Sequence, residues 1–107
     1  MAANYLSSHG YKIIEMNFQK RYGEIDIVAQ DQDTLVFVEV KTRMENNLVS
    51  PEDSLIARKI NSVKKSALFY KMKHPQLPES LRIDFVGIVL DDTLRPLKIN
   101  HVENITM

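Results

Sequence analysis

One segment of the chain constrains the fold more than any other: residues 35–41, with the sequence LVFVEVK. They are apolar and mostly β-branched or aromatic until the polar end at Glu39 and Lys41, and such a run is typical of a β-strand. Before it, residues 24–27 alternate polar and apolar, which is the period of a half-buried strand. Residues 31–34, between the two segments, are turn formers. We therefore predict a β-hairpin.

The start of the chain predicts the end of a helix followed by another strand. Residues 2–10 have helical character and finish at Gly10, which suits a left-handed cap at a helix C-terminus. The beginning of this first helix looks truncated. Residues 11–18 are β-like, and residues 19–23 form a polar turn before the hairpin.

A long helix is predicted after the hairpin. Ser50 and Pro51 are suited to its N-cap and first position, and its apolar residues recur at spacings of four and three until His74 and Pro75 end it. This stripe comprises Ile56, Ile60, Val63, Ala67 and Tyr70. Strands over 81–90 and 97–102 complete the order αβββαββ, which predicts an α/β fold with a mixed sheet and flanking helices.

Length and composition exclude several classes of protein. A chain of 107 residues is expected to form one domain over 1–107. No run approaches the roughly 18 apolar residues of a membrane span, and the first residues lack the pattern of a signal peptide. We therefore predict a cytoplasmic location and no membrane partner. The absence of Cys excludes a disulfide scaffold, a thiolate zinc site and a cysteine nucleophile.

The charges of the chain are balanced in number but not in position. The 14 basic residues equal the 14 acidic ones, so the formal net charge is zero. Residues 54–78 contain six Lys and Arg and no acid, whereas acids are concentrated over 24–39. This distribution predicts two patches of opposite charge.

The polar residues of the hairpin are the candidate site. Strand alternation places Glu24 and Asp26 on one face, away from the neighbouring isoleucines, and it places Glu39 and Lys41 on one face of the next strand. A turn that is symmetric about residues 32–33 pairs Asp26 with Glu39 and Glu24 with Lys41. Two carboxylates that face each other destabilise a sheet by up to about 1 kcal/mol when exposed.

A divalent cation between Asp26 and Glu39 would remove this repulsion. Carboxylate oxygens, with water and substrate oxygens, suit Mg²⁺ or Mn²⁺. Lys41 beside the metal could hold or deprotonate a water nucleophile, so the site could hydrolyse phosphodiesters. The plain alternative is a solvated hairpin face with a weak ion pair between Glu24 and Lys41.

The hairpin also resembles a known family. The segments GEIDIV at 23–28 and VFVEVKTR at 36–43 are similar to the signature of YraN-like proteins, members of the restriction-endonuclease-like superfamily with a PD-(D/E)xK metal site. The likeness extends over nearly the whole chain. The outlying residues that match are Tyr5, Leu6, Gly10, Tyr11, Asn17, Lys59, Ala67, Tyr70, Arg82, Asp84, Glu103 and Asn104.

This resemblance implies an α/β core similar to archaeal Holliday-junction resolvases. It implies that Asp26 and Glu39 are metal ligands, that Lys41 is the catalytic lysine and that Glu24 is an accessory acid. Members of the family usually carry a Gly-Glu pair on the first helix, upstream of the first residue of this chain. The implied substrate is DNA, including branched DNA.

Basic residues of the long helix are the candidate DNA contacts. Lys59, Lys64 and Lys71 lie at the margins of its apolar stripe, and Arg43 follows the hairpin motif. Such cations suit phosphate contacts, which position a nucleic acid without reading its sequence. A solvated helix face is the alternative.

Three interpretations follow. The first is an endonuclease that depends on Mg²⁺ or Mn²⁺ and acts on DNA. The second is a non-catalytic nucleic-acid-binding protein on the same scaffold. The third is a structural subunit whose hairpin charges serve solubility or contacts in a homodimer. His9, His74 and His101 have no catalytic or metal-ligand spacing, and we expect them to be surface or hydrogen-bonded core residues.

Overall fold

The computed structural model describes residues 1–20, 23–45 and 51–105, with side chains for all of these except 20, 23 and 51–59. Two helices and five strands follow one another in the predicted order αβββαββ, and the α/β fold is confirmed. They are α1 Ala2–Ser8, β1 Lys12–Lys20, β2 Gly23–Asp31, β3 Thr34–Met44, α2 Pro51–Lys73, β4 Ser80–Leu90 and β5 Pro96–Val102.

The five strands form one mixed sheet in the order β1-β2-β3-β4-β5. Strands β1, β2 and β3 are antiparallel neighbours, β3 and β4 are parallel, and β5 is antiparallel to β4. The parallel pair requires a crossover connection, and α2 lies within it. Strand β3 lies in the centre of this order. It is apolar on both faces because a helix covers each face of the sheet.

Each face of the sheet carries its own core. The core under α1 includes Leu6 with Val36 and Val38, whereas the core under α2 includes Tyr70 with Phe37. Even-numbered residues of β3 therefore face α1, and odd-numbered residues face α2. This alternation decides on which side each polar residue of β3 lies.

The end of α1 is fixed by a left-handed glycine, as predicted. Gly10 has a φ of +91°, its N–H donates to the carbonyl of Ser7 over 3.1 Å, and the N–H of Tyr11 donates to the carbonyl of Leu6 over 3.0 Å. This pair of hydrogen bonds, with Leu6 and Tyr11 both buried, is a Schellman motif. It directs the chain into β1.

The predicted bounds of the long helix are also confirmed. Helix α2 begins at Pro51 and ends at Lys73, before His74, while Ser50 lies outside the described residues. Val63, Ala67 and Tyr70 of the predicted stripe are buried. Ile60 is half-buried, and the side chain of Ile56 lies outside the description. In the part of the chain that the structure describes, no helix is long and apolar enough to cross a membrane.

Candidate active site at the end of the central strand

The hairpin has the predicted turn, but its pairing ends early. Residues 32–33 connect the strands, and Ala29 pairs with Val36 as predicted. The last pair of the ladder is Ile27 with Val38. Beyond this pair, the ladder between β2 and β3 does not continue.

Strand β2 changes face at this point, so the predicted alternation is wrong here. Ile25 packs in the core under α2, whereas Ile27 packs in the core under α1. On the neighbouring strand, Asn17 has a left-handed φ of +57° at the position opposite Asp26. A residue with this φ interrupts the regular pleat of β1 beside the change of face in β2.

The predicted pairs of Asp26 with Glu39 and of Glu24 with Lys41 lie beyond the end of this ladder and are not part of it. Asp26 instead accepts a hydrogen bond, through Oδ2, from the backbone N–H of Val40 over 2.7 Å. Val40 is the residue between Glu39 and Lys41. The structure therefore brings Asp26 to the Glu-Val-Lys segment by a side-chain contact with the backbone rather than by strand register.

Asp26 also borders an open cleft. The cleft has a volume of about 360 Å³ and lies between the first turn of α1 and the ends of the central strands. Residues 1–3, Val40, Thr42 and Ile88 contribute to its lining. The half-buried carboxylate of Asp26 is thus within reach of a small ligand.

Glu39 and Lys41 share a face of β3, as predicted, and this face is turned towards α2. Glu39 is only 2% exposed, whereas Lys41 is exposed at the end of the strand. Burying a carboxylate among apolar residues costs free energy unless a cation or hydrogen-bond donors compensate it. A carboxylate in this position is of the kind that hydrogen bonds or a bound cation stabilise.

Glu24 contacts β1 rather than Lys41. It is exposed and accepts a hydrogen bond from Nε2 of Gln19, its cross-strand partner on β1, over 3.1 Å. The ion pair between Glu24 and Lys41 that the plain alternative requires is absent among the described residues. The accessory role of Glu24 stays a prediction.

The two acids at this end of the sheet are of the type that binds a hard divalent cation, and they lie on different faces: Asp26 borders the cleft beside α1, whereas Glu39 is turned towards α2. Asp26 and Glu39 offer carboxylate oxygens, which Mg²⁺ and Mn²⁺ prefer. Among the described residues, no three acids or histidines come together as a closed protein metal site would require. Two carboxylates with water and substrate oxygens is the usual pattern for Mg²⁺ in enzymes that act on phosphates.

The predicted DNA contacts are spread along the sheet. Lys41 lies beside Gly87 of β4, whereas Lys64 borders a hollow formed in part by Leu81 and Ile83, four to six residues earlier on β4. At about 3.3 Å per residue, this separation is more than about 13 Å along the strand. Lys64 is exposed but does not adjoin the Asp26 region.

Lys71 has a structural role. Its ammonium donates to the carbonyls of Pro75 over 3.1 Å and Leu77 over 2.8 Å, and it lies 3.4 Å from a carboxylate oxygen of Glu79. The side chain is only 13% exposed. These contacts close the loop after α2 and leave the ammonium poorly placed for a phosphate.

Of the other two predicted contacts, Arg43 lies near the end of β3. Arg43 is half-buried and donates from Nη1 to the carbonyl of Met44 over 3.1 Å. The side chain of Lys59 lies outside the described residues, so its role as a DNA contact stays a prediction.

A second polar cluster, which was not predicted from the sequence, lies on the α1 face. Asp84 is fully buried, and Arg82 donates to it twice, from Nε to Oδ1 over 2.8 Å and from Nη2 to Oδ2 over 3.0 Å. The N–H of Asn104 donates to Oδ1 over 3.0 Å, and Nε2 of His101 lies 2.7 Å from Oδ2. Arg82 also donates to the hydroxyl of Tyr11 over 2.6 Å.

The surroundings in this cluster shift the pKa values of Asp84 and Tyr11, so that Asp84 stays ionised and Tyr11 stays neutral. Burial opposes the ionisation of Asp84, but the hydrogen bonds from His101, Arg82 and Asn104 outweigh it and hold the pKa of Asp84 below its usual range. Burial raises the pKa of Tyr11 to about 12, against the opposing effect of Arg82. The cluster is therefore an ionised, fully bonded part of the core.

Strand spacing could have indicated part of this cluster. Arg82 and Asp84 are two residues apart and therefore share a face. The contribution of His101 and Asn104 depends on the packing of β5, which local sequence does not encode. His101 is a hydrogen-bonded core residue, as predicted for the histidines in general.

Comparison with known proteins identifies the family. The sequence model of the uncharacterised protein family UPF0102 matches residues 1–88. The UPF0102 protein of Syntrophomonas wolfei subsp. wolfei is 44% identical over 104 residues, covering 97% of this chain and 89% of its own length. The UPF0102 protein of Geobacter metallireducens is 40% identical over 104 residues, which are 97% of this chain and 84% of the relative. The UPF0102 protein of Persephonella marina is 37% identical over 103 residues, which are 96% of this chain and 84% of the relative. The chain belongs to the UPF0102 family, which confirms the YraN-like resemblance.

Proposed function

We propose that the chain is a metal-dependent endonuclease that hydrolyses phosphodiester bonds in DNA, including branched DNA. One observation carries the proposal: the 2.7 Å hydrogen bond that holds the carboxylate of Asp26 against the N–H of Val40, between Glu39 and Lys41. This contact supports the proposal because it brings the carboxylate of Asp26 to the segment of β3 that contains Glu39 and Lys41. The resemblance of the hairpin to the PD-(D/E)xK signature supports the same reaction.

Asp26 and Glu39 are the residues that would hold Mg²⁺ or Mn²⁺. When bound, the ion supplies Lewis-acid polarisation of the phosphate and a lowered pKa for bound water. The hydrogen bond from Val40 fixes the orientation of Asp26, and the rigid central strand fixes Glu39. Such support keeps ligands in place before the substrate arrives.

Lys41 would act on the attacking water. Its exposed ammonium at the end of β3 can orient the water, accept its proton after losing its own, and offset the charge that develops on the phosphate. Glu24 would be an accessory acid at the rim. We assign phosphate contacts along the DNA to Arg43, near the end of β3, and to Lys59 of α2.

A cleavage assay tests this proposal. Purified wild type, Lys41→Ala and Lys98→Ala are incubated with Mg²⁺ or Mn²⁺ and a panel of labelled DNA that includes duplexes, flaps and four-way junctions. Lys98 is an exposed lysine on β5 and serves as the matched control. We expect the wild type and Lys98→Ala to cleave at similar rates, and Lys41→Ala to cleave at least about a hundredfold more slowly.

The alternative function has its own outcome in the same assay. A wild type that binds DNA in a salt-sensitive way but cleaves no substrate with either ion would favour a non-catalytic nucleic-acid-binding protein. Cleavage that Lys41→Ala leaves unchanged would contradict the role of Lys41.

A further inference from the structure

The C-terminal half of α2 exposes apolar side chains where a helix normally exposes polar ones. Leu68 is 63% exposed and Met72 is 73% exposed, and they lie one helical turn apart. Phe69 is half-buried beside them. With Lys65, these three residues line a hollow of about 410 Å³.

Lysines surround this apolar surface on the same helix. Spacing of four places Lys64, Leu68 and Met72 in one row and Lys65, Phe69 and Lys73 in the next. We call these six residues the outer face of α2. Lys64, Lys65 and Lys73 are exposed, and Nζ of Lys73 lies 5.7 Å from the centre of the Phe69 ring.

The charge of the outer face has one sign. Residues 54–78 contain no Asp or Glu. Within the described part of the chain, Glu79 forms its ion pair with Lys71, which is not an outer-face lysine. A second hollow, of about 250 Å³, adjoins the first across Leu68 and is lined by Lys64, Ala67 and Leu81. Apolar hollows bordered by cations complement a ligand with apolar anchors and negative charge.

We propose that the outer face of α2 binds an acidic peptide segment of a partner protein, with leucine or phenylalanine side chains in the two hollows and carboxylates against the lysines. Apolar anchors in pockets with a charged rim are a common way to recognise a short segment. DNA phosphates alone would not explain the exposed Leu68 and Met72. This site is separate from the Asp26 region, and it does not depend on the proposed nuclease activity.

Fluorescence polarisation with three labelled ten-residue peptides tests the proposal. The first combines Asp with Leu and Phe, the second replaces Leu and Phe by Ser, and the third replaces Asp by Lys. We expect the first to bind at least about tenfold more tightly than either of the others. Equal affinity for the first two peptides would contradict the role of the hollows.

Two double variants locate the binding. Leu68→Ser with Met72→Ser should weaken binding of the first peptide at least about tenfold, whereas Leu94→Ser with Leu97→Ser, at two other exposed leucines, should leave it unchanged. Lys65→Glu with Lys73→Glu should abolish binding of the acidic peptide and create binding of the basic one. Leu68, Met72, Lys65 and Lys73 all belong to the outer face, whereas the control residues Leu94 and Leu97 do not. Circular dichroism checks that each variant is folded.

The same variants decide between other occupants. If Leu68→Ser with Met72→Ser weakens binding of a 20-base-pair duplex or of anionic vesicles as strongly as it weakens peptide binding, the peptide proposal is overturned. A wild-type dimer in sedimentation that this variant converts to a monomer would also overturn it, since a second copy would then cover the face.

Discussion

Two carboxylates lie at opposite ends of α1 and differ in what surrounds them. Asp84 is fully buried, and its two oxygens are bonded by Arg82, His101 and the N–H of Asn104. Asp26 is half-buried where β2 leaves β3, and it borders an open cleft. An enclosed, fully bonded acid stabilises the fold, whereas an acid that opens on a cleft can meet a ligand. Access to a ligand therefore distinguishes the functional acid from the structural acid better than the degree of burial does.

The largest effect should follow substitution of the enclosed acid. Asp84→Asn removes the buried partner of Arg82, which keeps only the more exposed Asp31 at 3.3 Å and Glu103 at 3.6 Å. It should lower the free energy of unfolding by about 3 kcal/mol, the lower end of the range for a broken buried ion pair. Urea denaturation measures this change. Asp92→Asn, at an exposed acid in the β4–β5 turn, is the control and should change stability by less than about 0.5 kcal/mol. A loss for Asp84→Asn as small as that of the control would contradict a structural role.

The pH dependence of stability should follow the same residue. The folded-state pKa of Asp84 is lowered, so its contribution is present above its unfolded pKa of about 3.9 and is lost as pH falls through the folded pKa. The free energy of unfolding should therefore drop in this acid range in the wild type and drop less in Asp84→Asn. Identical pH profiles for the two proteins would show that Asp84 is not the linked group.

A smaller effect should distinguish structural from DNA-contacting lysines. Lys71→Ala should reduce stability by about 1 kcal/mol, because it removes two hydrogen bonds to carbonyls, and it should leave DNA binding unchanged. Lys59→Ala should instead lower the slope of log affinity against log salt by about 0.9 for duplex DNA. A change of slope in Lys71→Ala, without one in Lys59→Ala, would reverse our assignment.

The smallest effect on stability should occur at Lys41. Lys41→Ala replaces an exposed side chain and should change the free energy of unfolding by less than about 0.5 kcal/mol. Its affinity for DNA and Mn²⁺ should be unchanged although cleavage is lost, and Lys41→Arg should not restore cleavage, because a guanidinium remains protonated. A large loss of stability would mean that Lys41 serves the fold.

The sequence predicted the elements well because local patterns determine them. The apolar run of β3, the glycine that ends α1 and the proline that begins α2 each depend on a few neighbouring residues. The site was predicted only in part. Glu39 and Lys41 share a face by simple alternation, but the break of alternation at Asp26 depends on the partner strand, where Asn17 adopts a left-handed φ.

Long-range packing accounts for the rest. The Asp84 cluster joins β4, β5 and the start of β1, which are distant in sequence. Lys71 was predicted as a phosphate contact because helix position alone does not reveal that the following loop turns back onto its ammonium.

Calorimetric titration of Mn²⁺ tests the central claim most directly. Asp26→Asn keeps an oxygen that can accept the hydrogen bond from Val40, so the fold should be preserved while the charged metal ligand is lost. We predict that the wild type and the Asp92→Asn control bind Mn²⁺ and that Asp26→Asn does not. Equal Mn²⁺ affinity in Asp26→Asn and the wild type would contradict a metal site at the end of the central strand.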